Sequence, residues 1–261
     1  ANLVFRQVSQ EFNATGTTTN LGNRPPITTG NPDTIVLGDS FTFGHGLKDS
    51  DTFIVKYCES VQLSCANLAR SGTGTGTQLD ILETYLETER WAPRHVKLFM
   101  LVMSTSLMSG NDLEENRLYD LVKSTKSVSR DSIKELRTSY STSTILMWVR
   151  KQALGNSNLA RVTFLYAAPI LRSWFAPKPD QSQLSSALSA TEKQLRRLHA
   201  LSLEKEFSYT IYVLHPMQDI IRGTDDKTAD LIQSIVQNGN VVRTAQLFTP
   251  DTESYYFSYD G

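Results

Sequence analysis

Thr34-Ile35-Val36-Leu37-Gly38-Asp39-Ser40-Phe41-Thr42-Phe43-Gly44 is the stretch from which the fold can be read. A short apolar run bounded by a turn signal reads as a buried strand. Gly38 permits a sharp turn at its end. Ser40 then stands at the carboxyl end of the strand, where open α/β sheets place their ligands. One reading makes Ser40 a nucleophile, and the other makes it a serine that caps the helix to follow.

Downstream, strands and helices alternate. The sequence predicts a helix over Asp51 to Val61 and a short strand over Gln62 to Leu68. A glycine-rich loop, Ser71 to Thr77, leads to a helix over Gln78 to Glu89 with Leu79, Leu82 and Leu86 at helical spacing. Val96 to Met103 reads as a buried strand, and a polar, helical middle runs from Leu113 to Leu154. Further strands are expected at Arg161 to Ala168, Tyr209 to Leu214 and Val241 to Phe248. Helices are expected at Gln181 to Glu206 and Ala229 to Val236. Such alternation predicts an α/β fold with three α/β/α layers around a central parallel sheet of about five strands. Upstream, residues 1–33 are rich in Thr, Asn, Gly and Pro and read as an extended lead-in packed along the domain. Residues 34–261 are expected to form that one domain.

Composition narrows the function classes. Of 261 residues, 26 are Lys or Arg and 27 are Asp or Glu, a formal net charge of −1, and no basic run occurs. A nucleic-acid partner is not expected. No stretch approaches the roughly 20 apolar residues needed to span a bilayer, so no membrane span is expected. The start at Ala1 suggests a processed product. Cys58 and Cys65 are open to two readings, a disulfide or two buried small hydrophobes. Asn13-Ala14-Thr15 matches the glycosylation sequon, a match common by chance.

Four loops carry polar chemistry. Gly38-Asp39-Ser40 is the first. Around Gly72, the second can bring a backbone N–H close to a substrate and a developing oxyanion. Its Gly-x-Gly-x-Gly spacing fits neither the dinucleotide fingerprint nor a P-loop. The third, Ser109-Gly110-Asn111-Asp112, offers the uncharged amide donor of Asn111, or simply a turn. The fourth is Ser254 to Gly261, where Asp260 is either an acid that orients a catalytic histidine or a solvated carboxylate.

Ser40, Gly72 and Asn111, each expected after a successive strand, resemble the SGNH superfamily of GDSL-type esterases and acetyltransferases. Gly-Asp-Ser-Phe-Thr-Phe-Gly and Gly-Asn-Asp are most similar to its bacterial polysaccharide O-acetyltransferase and acetylesterase branch, which includes alginate O-acetyltransferase domains. The resemblance runs from about Asn20 to the last residue, while Leu113 to Asn158 matches no motif. It implies a flavodoxin-like fold and a catalytic Ser40 with Asp260 as the orienting acid. The implied oxyanion hole consists of Ser40, Gly72 and Asn111. Neither a metal nor an organic cofactor is implied.

The family's last block is Asp-x-x-His or Asp-x-His, and this sequence stops at Asp260-Gly261. The expectation is that a histidine follows Gly261, so that the chain as given lacks its base. Of the four histidines present, His45, His95, His199 and His215, only His215 follows a strand at the edge expected to carry Ser40. The expected activity is acyl transfer on a carbohydrate, as O-acetylesterase or O-acetyltransferase, in a periplasmic or extracellular setting. Alternatives are a non-catalytic carbohydrate-binding module and a lipid or ester hydrolase.

Overall fold

The computed structural model describes residues 3–8, 12–19, 22–25, 31–89, 93–102, 112–124, 181–215, 227–236 and 240–244. Residues 1–120 and 181–261 form one compact unit and residues 121–180 a second. Of the second unit only 121–124, the end of a helix, are described.

Strand β3 (Thr34–Leu37) is buried along its whole length, as a central strand covered on both faces must be. It pairs in parallel with β4 (Cys65–Asn67) on one side and β5 (His95–Leu101) on the other. Beyond β5 lie β6 (Ser208–Leu214) and β7 (Asn240–Arg243), also parallel. The order β4-β3-β5-β6-β7 reverses direction at β3. After β3 the chain moves outward to β4, then returns past β3 to β5. The carboxyl ends of β3 and β5 therefore flank a topological switch point, where doubly wound sheets open a crevice.

Helices cover both faces. Ile35 and Leu37 of β3 join one large core with Leu79, Leu82 and Leu86 of α3 (Thr75–Glu89), Leu195 and Leu198 of α5 (Gln181–Glu204), and Ala229 and Ile232 of α6 (Lys227–Ile235). Val36, between them in sequence, faces the other way. It packs with Ile54 and Cys58 of α2 (Phe53–Val61) and with Cys65. This is the three-layer α/β arrangement expected from the sequence. Full burial of each such leucine contributes about 2 kcal/mol.

Cys58 and Cys65 are joined by a disulfide. Gln62, in the left-handed conformation with φ 52°, ends α2 and turns the chain back toward β4. Of the two readings the sequence left open, the bonded one is found.

Several boundaries differ from expectation. Helix α3 begins at Thr75, inside the stretch expected to be loop through Thr77. Its first turn abuts α4 (Asp112–Ser124), where a side chain on Gly76 would strike the Tyr119 ring at 2.6 Å. Packing between helices thus overrides the weak helix propensity of glycine. Strand β4 is shorter than Gln62 to Leu68, and β7 is described only as Asn240–Arg243. The expected strand at 161–168 and most of the polar middle lie outside the described residues. The stretch expected as a lead-in carries an antiparallel pair, β1 (Leu3–Val8) and β2 (Asn13–Thr18). No helix among the described residues is long and apolar enough to cross a membrane.

Candidate active site

Ser40 opens α1 (Ser40–Phe43), a single turn set directly beyond β3. Two residues create that turn. A Cβ on Gly38 would lie 2.1 Å from Thr42 Oγ1, so only glycine lets α1 fold back this closely. Asp39 is the N-cap, its carboxylate accepting the Phe41 N–H at 2.9 Å and also the Thr42 N–H. Its carbonyl accepts the Phe43 N–H at 2.9 Å. The Asp39 caps thus occupy the amides that follow Ser40. Among the described residues, neither the N–H nor the hydroxyl of Ser40 has a hydrogen-bond partner.

Burial raises the Asp39 carboxyl to about 6 from the usual 3.8. Backbone N–H groups oppose that rise, and the nearby charge of Glu115 adds to it. An ionised carboxylate is therefore costly here, although it is the better acceptor for the two amides.

The loop after β4 is tied to the Ser40 turn. Leu68 N–H donates to Val36 O at 2.8 Å and Arg70 N–H donates to Gly38 O at 3.0 Å, extending the ladder past both strand ends. The Arg70 carbonyl accepts the Thr73 hydroxyl at 2.6 Å, and the Gln78 amide donates to Thr73 O at 2.9 Å. Between these ties Gly72 adopts φ +71°, with nothing among the described residues within 4 Å of where its Cβ would stand. Gly72 is exposed, and among the described residues its N–H has no partner. Ser40 and Gly72 are thus brought to one edge of the sheet, beyond adjacent strands, each with a backbone donor that no described residue uses.

Asn111 and Asp260 lie outside the described residues. Asp112, the next residue after Asn111, is buried and begins α4. The start of that helix is fixed against the start of α3. Gly76 N–H donates to Asn116 Oδ1 at 3.0 Å, and the Asn116 amide donates to Thr191 Oγ1 of α5 at 3.1 Å. Glu115 stands over Gly74, 2.6 Å from where a Cβ on that residue would be. Arg197 of α5 adds a further tie, binding Asp80 at 2.7 Å and Glu83 at 2.6 Å, both on α3.

The side chains of His45, His95 and His199 have partners away from the Ser40 hydroxyl. His45 Nδ1 lies 2.9 Å from the Gln7 amide of β1. His95 is the first residue of β5, at the opposite end of the sheet from Ser40, with Ser208 Oγ and Thr210 Oγ1 at 2.6 and 2.9 Å from its two nitrogens. Burial, and secondarily the charge of Lys97, lowers its pKa. His199 on α5 lies 3.3 Å from the Tyr209 hydroxyl. Buried His215 directly follows β6, at the same edge as Ser40 but two strands away, about 10 Å by interstrand spacing.

Asp39 and Glu115 were not singled out by sequence reasoning. For Asp39 a signal exists, an Asp immediately before a helical turn, which is the N-cap pattern. Glu115 carries none, because its approach to Asp39 depends on how α4 meets α3. No family model and no curated protein matches this chain.

Proposed function

We propose that the chain carries out serine-dependent acyl transfer on a carbohydrate, as an O-acetylesterase or O-acetyltransferase. The observation that supports this reading most directly is Ser40 itself. Among the described residues its hydroxyl and N–H have no partner at the switch point of the sheet, and the N–H of Gly72, beyond the adjacent strand, has none either.

The Ser40 hydroxyl attacks the carbonyl carbon of an acetyl ester, forming the Oγ–C bond as its proton passes to a histidine base. The carbonyl oxygen becomes an oxyanion held by the N–H groups of Ser40 and Gly72 and by the Asn111 amide. Collapse breaks the bond to the leaving sugar oxygen, which takes up the proton and leaves an acetyl-serine. Attack by water then makes an esterase, and attack by another sugar hydroxyl makes a transferase. Asp260 orients the base, as the SGNH resemblance implies. The carbohydrate part of the reading rests on that same resemblance. The disulfide suits an oxidising compartment, which favours a periplasmic or extracellular site of action.

The decisive test is p-nitrophenyl acetate turnover by the full-length gene product against Ser40→Ala, with labelling of Ser40 by a fluorophosphonate. Turnover and labelling that vanish in Ser40→Ala support the enzyme. Turnover equal in both proteins, with no label on Ser40, overturns it and leaves the non-catalytic binding module.

A further inference from the structure

Helix α1 is one turn long, too short to hold itself together. Its amides are capped by Asp39, but the carbonyls at its other end need donors of their own. The backbone N–H groups of Gly44 and His45 serve the carbonyls of Ser40 and Phe41, and the donor for the last carbonyl, that of Phe43, comes from a residue far upstream. Arg24, fully buried, directs Nη1 to the carbonyls of Phe43 (3.1 Å) and Gly44, and Nη2 to the carbonyl of Leu47. Its Nε donates to Asp49 Oδ1 at 2.8 Å. The guanidinium also lies 5.4 Å from the Phe5 ring centroid and 5.3 Å from that of Phe43.

The hairpin of β1 and β2 closes over this group. The other Asp49 oxygen accepts the Thr17 N–H at 2.9 Å and the Thr17 hydroxyl at 2.7 Å. Gln7 of β1 accepts the Gly46 N–H at 2.7 Å, which orients its amide to donate to His45 Nδ1 at 2.9 Å. His45 N–H in turn donates to the Ser40 carbonyl at 3.0 Å. A continuous set of contacts therefore runs from the amino-terminal hairpin to the backbone of Ser40.

We propose that Arg24 is a positioning residue for Ser40, and that β1 and β2 form a clasp that holds the serine turn in its reactive geometry. The inference rests on Ser40 being the nucleophile. Arg24 does not touch the substrate; it acts by fixing residues 43–47, which fix α1. A lysine supplies the charge but not the planar fork that reaches several acceptors at once, so Arg24→Lys loosens the turn while keeping a cation. Gln7→Ala removes the bridge to His45 and Gly46 without touching Arg24.

Both variants are compared with the unaltered protein, well below the melting temperature, for fluorophosphonate labelling of Ser40, p-nitrophenyl acetate kinetics and amide exchange at residues 44–47. Misplacement of a reacting group slows chemistry more than binding, so Arg24→Lys is expected to label about tenfold more slowly and Gln7→Ala about threefold. kcat falls in parallel, with KM within about twofold. Faster exchange at Gly44 and His45 accompanies the loss. A folded Arg24→Lys that labels and exchanges like the parent overturns the inference. Should Arg24→Lys not fold, Gln7→Ala decides, and parental labelling and exchange there overturn it. Absence of label on Ser40 in the parent itself defeats the nucleophile reading instead. In that case unchanged exchange at 44–47 defeats the clasp and accelerated exchange supports it.

Discussion

Gly38 and Thr42 occupy the same space in turn. A Cβ at position 38 would lie 2.1 Å from Thr42 Oγ1 and 2.5 Å from Thr42 Cβ. Thr42 is fully buried and cannot swing aside. Gly38→Ala should therefore cost about 3 kcal/mol, at the upper end of overpacking penalties. The midpoint of urea unfolding measures it. Removing the Thr42 side chain only as far as alanine should restore little, because the Cβ contact remains.

Gly72 presents the opposite case. No described residue crowds it, and its constraint is the backbone, at φ +71°. Gly72→Ala should cost about 1 kcal/mol, the penalty of a left-handed L-residue. Gly72→Asn should cost less, since Asn tolerates this region. If the space beside Gly72 is where substrate sits, larger side chains there should raise KM while leaving the fold intact. Steady-state kinetics on the two variants check this.

The buried Asp39 carboxyl sets a stability dependence on pH. Its pKa is raised in the folded state, so the folded protein binds the proton more tightly than the unfolded chain. That contribution is fully present below the unfolded value of 3.8 and is lost as pH rises through about 6. Asp39→Asn keeps a cap oxygen for the Phe41 amide and removes the charge. The variant should gain on the parent by about 2 kcal/mol between pH 4 and pH 7, slightly under the full linkage for a shift of this size. Denaturant titrations at those two pH values measure the difference, and a parallel pH dependence in both proteins would exclude Asp39 as its source.

The bond between Cys58 and Cys65 spans a sequence separation of 7. Such a short loop gives a chain-entropy stabilisation of about 2 kcal/mol. Both residues are buried, so reduction should be slow in native buffer and fast in denaturant. Mass spectrometry after alkylation follows the rate, and unfolding of the Cys58→Ala/Cys65→Ala protein gives the energy.

The first strand of the central sheet was legible because it is buried on both faces. Thr34 to Leu37 is buried throughout, and such a run reads as a strand without any partner in view. The disulfide was not legible, since pairing depends on Gln62 turning α2 back toward β4. Nor was the start of α3. Glycines at positions 74 and 76 look like loop until Glu115 and Tyr119 are placed against them. The hairpin escaped notice for a related reason. Apart from the ring contact of Phe5 with Phe43, its ties toward α1 run through Arg24, Asp49 and Gln7, polar side chains with no periodic pattern. The placement of Ser40 and Gly72 just beyond adjacent strands was legible from glycine and turn chemistry. The charge of Glu115 acts on Asp39 only because α4 packs on α3. Asn111 and Asp260 lie outside the described residues.

The four-residue helix that carries Ser40 has a further consequence for protein engineering. Its shape is stored in groups drawn from positions 24, 39 and 49, together with the backbone of the loop at 70. Grafting Gly-Asp-Ser-Phe-Thr-Phe-Gly onto another sheet would transfer the letters and leave the conformation behind. A free peptide covering 34–47 should be disordered by circular dichroism. The portable unit is the heptapeptide together with its distant supports.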